Sequence, residues 1–306
     1  MSSTGKQISL VLGSGGARGL AHIGAIEELE SRGYRIASIA GSSMGALVGG
    51  IHATGKLREY RDWVVELERM DVLRLLDFSF GGNGVIKGDR IIEVLRDMIG
   101  DQQIEELPIA YTAVATDLDR QREIWLSQGS LFDAIRASIA IPMIFTPLRL
   151  KGRTLVDGGL VNPIPVAPTL RDLTDLTVVV NVNASRPAGP PALVAEGARE
   201  EEEEEVGDSP IKARLAAFLQ GLGISRDSAP KETSPGLIDL MSRSIDTMQH
   251  IIGRHRLAGY EPNVVISVPR SAGFFYEFWR ARELIEIGRR SAREALDAFE
   301  RQNGRP

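Results

Sequence analysis

The chain has 306 residues, 43% of them hydrophobic and 25% charged, enough for one large α/β domain with a real core. It contains no cysteine, which excludes disulfides and thiolate metal sites, and its net charge of −5 comes without a basic block, which argues against nucleic acid as a partner. The first residues hold one lysine and an apolar run too short for a secretory signal, so the expectation is a cytoplasmic protein.

Gln7–Leu12 is a short apolar run ending in glycines and predicts a buried strand. Gly19–Ser31 carries Leu20, Ile23, Ile26 and Leu29 at helical spacing, with Gly33 as a stop. Arg35–Ala40 predicts a second strand cut off by Gly41, and Met44–Ala53 a second helix. The stretch Ile36–Gly55 lacks Asp, Glu, Lys and Arg over about twenty positions, the length of a membrane span. Its glycines and serines fit a strand, a turn and a helix better. Two strand-turn-helix units in succession predict a mostly parallel central sheet with helices on both faces. Glu59–Leu76 and Asp89–Ile99 read as helices, with Gly81–Gly84 as a loop between them. Ile109–Thr116 and Glu123–Leu126 read as strands, and Ser130–Ile139 as a helix opened by a Ser130/Asp133 capping box. Strands are expected near Leu148, over Thr154–Val156 and, centrally, over Thr177–Val182. A strand at Val264–Val268 and a helix from Tyr276 to Phe299 end the chain.

Composition divides the chain into residues 1–184 as the main core, 185–235 as an acidic, flexible insertion, and 236–306 as a return to the same domain. The insertion holds six consecutive glutamates, Glu200–Glu205, which repel one another and must stay in water. Within it Ile211, Leu215, Phe218, Leu219 and Leu222 share one helical face, to be buried against the core, a second subunit or a lipid interface. For the aromatic cluster Phe274, Phe275, Phe278 and Trp279, core packing is the expectation, with lipid contact as the alternative.

Three motifs carry chemistry. Gly41-Ser42-Ser43-Met44-Gly45 is a G-x-S-x-G between a strand and a helix, where a sharp turn exposes the serine hydroxyl and the helix N-terminus favours an oxyanion. The bland reading is a chance match in a small-residue turn. Gly13-Ser14-Gly15-Gly16-Ala17-Arg18-Gly19 also joins a strand to a helix. As a dinucleotide loop it is out of register, and no acidic residue closes the second strand. As an oxyanion hole it offers the bare amides of Gly15 and Gly16, with Arg18 adding positive potential; a purely structural glycine turn is the third reading. Asp157-Gly158-Gly159 could bring a carboxylate close to a serine, although most such tripeptides are ordinary turns. The four histidines, His22, His52, His250 and His255, do not follow the order serine, acid, histidine of an α/β-hydrolase triad. The balance favours a Ser–Asp pair.

In this order, the three motifs resemble those of the patatin-like phospholipases. That family carries a loop G-G-G-x-[RK]-G, then G-x-S-x-G, then D-G-[GA], matched here by Ser14–Gly19, Gly41–Gly45 and Asp157–Gly159. The stretch Ala137–Pro142, continuing to Phe145 and Pro147, is similar to the family's segment before the aspartate. The likeness covers residues 7–183 and resumes from Leu237. Ser14 departs from it, standing where the family has its first glycine. The resemblance implies a three-layer α/β sandwich and a serine lipid acyl hydrolase, a phospholipase, lysophospholipase or esterase. Ser43 would be the nucleophile, Asp157 the base, and the amides of Gly15, Gly16 and Met44 the oxyanion hole. Arg18, Gly41, Gly45, Gly158 and Gly159 would support them, and neither metal nor cofactor is called for. The expected partner is a lipid ester, met by peripheral contact with a membrane. The rival readings are a non-catalytic lipid-binding module of the same fold and a nucleotide-binding Rossmann-type protein.

Overall fold

Ile8, Leu10 and Leu12 of the first strand point into one apolar core while Val11 points into a second, so the sheet is covered on both faces. The computed structural model describes residues 5–76, 86–185 and 237–304. Among the described residues the strands are β1 (Gln7–Leu12), β2 (Arg35–Ser42), β3 (Ala110–Asp117), β4 (Arg122–Leu126), β5 (Leu148–Leu150), β6 (Arg153–Asp157), β7 (Leu176–Ala184) and β8 (Val264–Pro269). They are ordered β5-β6-β3-β2-β1-β7-β8, with β4 also paired to β3. The run from β3 through β2, β1 and β7 to β8 is parallel, and β4, β5 and β6 are antiparallel additions. From β1 the chain builds outward to β2 and β3 on one side, and later adds β7 and β8 on the other. The carboxyl end of β1 therefore opens on a point where connections diverge, the usual ligand position in open α/β sheets.

The larger core lies between one face of the sheet and helices α1 (Ala21–Ser31), α2 (Met44–Ala53), α3 (Leu57–Val64), α5 (Asp89–Ile99), α6 (Leu131–Ser138) and α8 (Ala281–Gln302). A short helix α4 (Arg69–Arg74) joins α3 to the segment before α5. On the opposite face Val11 and Val179 pack with Ile164 and Val166, against which Leu257 and Tyr260 of α7 (Leu237–Tyr260) are laid. By its contacts the chain divides into two units, residues 1–185 with 245–306, and residues 186–244. Of the second, the described residues comprise only the opening of α7.

Several boundaries differ from the expectations. The helix expected from Gly19 starts as a 3-10 turn, Gly16–Leu20, and becomes α1 at Ala21. β2 runs through Gly41 to Ser42, because both residues still pair with Ala113 and Val114 of β3. The helix expected over Glu59–Leu76 is two, α3 and α4. The second is started by Glu68, whose side chain and that of Asp71 cap each other's amides. Ser130 caps α6 by accepting the Asp133 amide at 3.3 Å. The last helix begins at Ala281, after a 3-10 turn over Phe278–Arg280. The sequence pattern predicts no helix over α7. Gly81–Gly84, the glutamate run and the Ile211–Leu222 face lie outside the described residues. Among the described residues no helix is long and apolar enough to cross a membrane; the uncharged stretch Ile36–Gly55 is divided between β2, a turn and α2.

Candidate active site

Two strands end against each other on one edge of β3. Val114 pairs with Ser42 of β2, and the next residue, Ala115, pairs with Asp157 of β6. β4 occupies the other edge over the same residues. Both strands must leave the sheet here, so Ser43 and Asp157 emerge side by side. The Ser43 hydroxyl donates to Asp157 Oδ2 at 2.6 Å, with both residues buried.

The turn that presents Ser43 is strained, with φ 55° and ψ −124°. It closes only because its flanks lack side chains. A methyl group at Gly41 would lie 2.4 Å from the Gly45 carbonyl oxygen, and one at Gly45 would lie 2.1 Å from that of Leu12. The strain is held from outside by Ser138, at the end of α6. The Ser43 amide donates to Ser138 Oγ (2.9 Å), which in turn donates to the Val114 carbonyl (2.6 Å).

Asp157 is fixed on three sides. Its amide donates to the Ala140 carbonyl (2.9 Å), its carbonyl accepts from Thr116 Oγ1 (2.8 Å), and Oδ1 accepts the Gly159 amide (2.7 Å). Oδ2 is thereby left turned to the serine. Burial raises its pKa to about 7, opposed by the hydrogen bonds from Ser43 and from the Gly159 amide.

The glycine loop lies against both. A methyl group at Gly19 would sit 2.4 Å from Met44 Cβ, and one at Gly159 would sit 2.8 Å from Ser14 Cβ. Gly16 takes φ 56°, in the left-handed region, and a methyl there would meet the Phe275 carbonyl at 2.5 Å. Among the described residues the amides of Gly15, Gly16 and Met44 have no hydrogen-bond partner, while those of Ser14, Ala17 and Ser43 beside them do. Gly13 donates to Val180, Ser14 to Pro163 (2.9 Å) and Ala17 to Phe275 (2.7 Å).

Arg18 is buried. Its guanidinium donates to Asn183 Oδ1 (2.7 Å) and to the Gly273 carbonyl (3.1 Å), and reaches Asp246 Oδ1 at 3.3 Å. Burial pulls its pKa below the ordinary arginine value, and Asp246 acts against that shift. Its charge is thus engaged in tying the loop to β7 and α7. His22 supports the same loop, its Nε2 meeting the Gly13 carbonyl at 2.8 Å. Burial lowers its pKa to about 4, so it is neutral and the nitrogen facing the carbonyl carries the proton. The other nitrogen, Nδ1, has no partner among the described residues. His250 contacts the Asn183 carbonyl at 3.2 Å and Ser185 Oγ at 3.1 Å. The aromatic cluster is split between surroundings. Phe278 packs on the larger core, Phe274 is 61% exposed, and Phe275 lends its carbonyl to the loop.

The sequence motifs marked Ser43, Asp157 and the glycines. They leave Ser138, Asn183, Asp246 and Gln249 unmarked, and His22 with them. Ser138 alone had a signal, in the stretch Ala137–Pro142.

Residues 10–170 match the family model described as patatin-like phospholipase. The chain belongs to that family. It is 40% identical over 337 aligned positions to an uncharacterized NTE family protein of Mycobacterium tuberculosis, spanning 97% of this chain and 93% of that one. It is also 33% identical over 169 residues to the neuropathy target esterase sws of Drosophila melanogaster, which is 53% of this chain and 12% of the fly protein. Among solved structures it is similar to VipD from Legionella pneumophila, with a TM-score of 0.47 and 16% identity over 97% of this chain and 68% of that one.

Proposed function

We propose that the chain hydrolyses carboxylic ester bonds of lipids, with Ser43 as nucleophile and Asp157 as its base. The observation that carries this reading is the 2.6 Å hydrogen bond from a strained, buried serine to a carboxylate that burial has brought to about 7. A general base works best when its pKa lies near the working pH, and an ordinary aspartate lies far below it. Membership in the patatin-like phospholipase family supports the lipid substrate class.

The reaction proceeds through an acyl-enzyme. Asp157 takes the hydroxyl proton as Ser43 Oγ bonds to the ester carbonyl carbon, and the carbonyl oxygen becomes an oxyanion. The partnerless amides of Gly15, Gly16 and Met44 receive that charge. The carbon–oxygen bond to the leaving alcohol breaks, and the proton on Asp157 passes to the departing oxygen. Water then attacks the acyl-serine and gives its proton to Asp157. The fatty acid leaves and the serine recovers its proton.

The test is labelling by a fluorophosphonate with mapping of the modified residue, together with turnover of a p-nitrophenyl acyl ester. Ser43 is expected to carry the label, and Ser43→Ala to lose both labelling and turnover while melting as the wild type does. Turnover retained by a folded Ser43→Ala variant would overturn the assignment.

A further inference from the structure

α7 reaches the active site at positions that no motif marks. Asp246, Gln249, His250 and Gly253 follow one another at i, i+3, i+4 and i+7, so they lie on one face of the helix. Asp246 meets Arg18 of the glycine loop, and Gly253 packs close against Ile164. Between them, Gln249 Oε1 accepts the Ser14 hydroxyl at 3.0 Å and lies 3.5 Å from Asn183 Nδ2. Its other end lies against Gly159. A methyl group at Gly159 would be 2.7 Å from Gln249 Nε2, and the Gly159 amide is the one that orients Asp157 Oδ1.

We infer that Gln249 is a positioning residue for the reaction, holding the oxyanion loop at Ser14 and lying against the turn that aims Asp157. The inference rests on the hydrolase reading above. Gly15 and Gly16 are the most permissive residues a chain can carry, so their amides point consistently only if both flanks are fixed. One flank is Ala17 and Arg18, bound to Phe275, Asn183, Gly273 and Asp246. The other is Ser14, whose amide, carbonyl and hydroxyl are bound to Pro163, Asn183 and Gln249. The hydroxyl exists because serine stands here in place of the family's glycine. Ser14 and Gln249 therefore act as a pair, and the departure from the family loop is the donor of their bond.

Gln249→Met keeps the side chain's bulk and removes the acceptor; Ser14→Ala removes the donor. Each is expected to lower kcat for a soluble p-nitrophenyl ester about fivefold to tenfold, the scale of one hydrogen bond, with KM unchanged. The double variant should be no slower than either single one. Amide hydrogen exchange at Ser14 and Ala17, the loop amides that are hydrogen-bonded, should quicken in both variants, a readout that needs no turnover. A change confined to KM, additive losses, or unchanged exchange would each overturn the inference. Should Gln249→Met melt early, Ser14→Ala decides alone, through kcat and exchange. If the wild type turns over no ester while exchange still responds to both substitutions, the hydrolase reading falls and the brace stands as a structural device only.

Discussion

Asp157 is 2% exposed, and no cation is among the groups that shift its pKa; only the Ser43 hydroxyl and one amide oppose the effect of burial. Such a carboxyl keeps its proton to about pH 7, whereas in the unfolded chain it loses it near 3.9. Two pH dependences follow, of opposite sense. As the proposed base the group must be deprotonated, so kcat/KM is expected to rise with pH through about 7 and then level off. For stability, the folded chain binds a proton between about pH 4 and 7 that the unfolded chain has released, so this group's contribution is fully present below pH 4 and lost by about 7. Asp157→Asn should therefore abolish turnover yet melt higher than the wild type at pH 8, with the gap closing toward pH 4. A lower melting temperature at pH 8 would mean that the carboxylate is net stabilised by its surroundings. His22→Ala should cost less activity than Asp157→Asn, because His22 acts on the Gly13 carbonyl and is neutral. The glycines around Ser43 and Asp157 made those two residues legible in the sequence. Gln249 was not, since a polar residue in a helix acquires its meaning from a partner 235 positions away.

The turn after β2 depends on α6. Ser138 is fully buried and bridges the Ser43 amide to the Val114 carbonyl, both of them in the buried interior. Ser138→Ala leaves both unsatisfied and is expected to destabilise the chain by about 1–3 kcal/mol. It should also lower kcat, because the strained φ at Ser43 loses the bond that holds it. Urea unfolding and ester turnover measure the two effects; an unchanged midpoint would show that the turn is held by its glycines alone. At this scale the sequence was readable where periodicity is local. α2 and α5 have the expected bounds, and β1 likewise, since each carries its own apolar pattern. The break between α3 and α4 and the 3-10 turn before α1 were not readable. The first is made by a cap at Glu68 and the second by the bond from Ala17 to Phe275, neither of which alters the hydrophobic rhythm.

For the whole molecule, the glycine loop is assembled from distant parts of the chain, although all three motifs lie before residue 160. Its bonds go to β7, to Asp246 and Gln249 of α7, and to Gly273 and Phe275 before α8. The strand order that brings these together could not be read in advance, because it depends on pairings such as β1 with β7, some 168 residues apart. Residues 1–184, which contain every motif and the whole span matched to the family, are therefore expected not to form a working enzyme alone. Removing the rest strips β8 from the edge of β7 and exposes the valines of that strand. It also removes Leu284, Ile285, Ala292 and Leu296 of α8, which are buried in the core that α1 shares, and uncovers Ile164 and Val166 beneath α7. Apolar surface of that extent cannot remain in water as a packed fold, so the fragment should aggregate or lack fixed tertiary structure. Near-ultraviolet circular dichroism and ester turnover on purified 1–184 test this. A native-like spectrum together with turnover within tenfold of the full chain would show that the loop's donors are held by the first half alone.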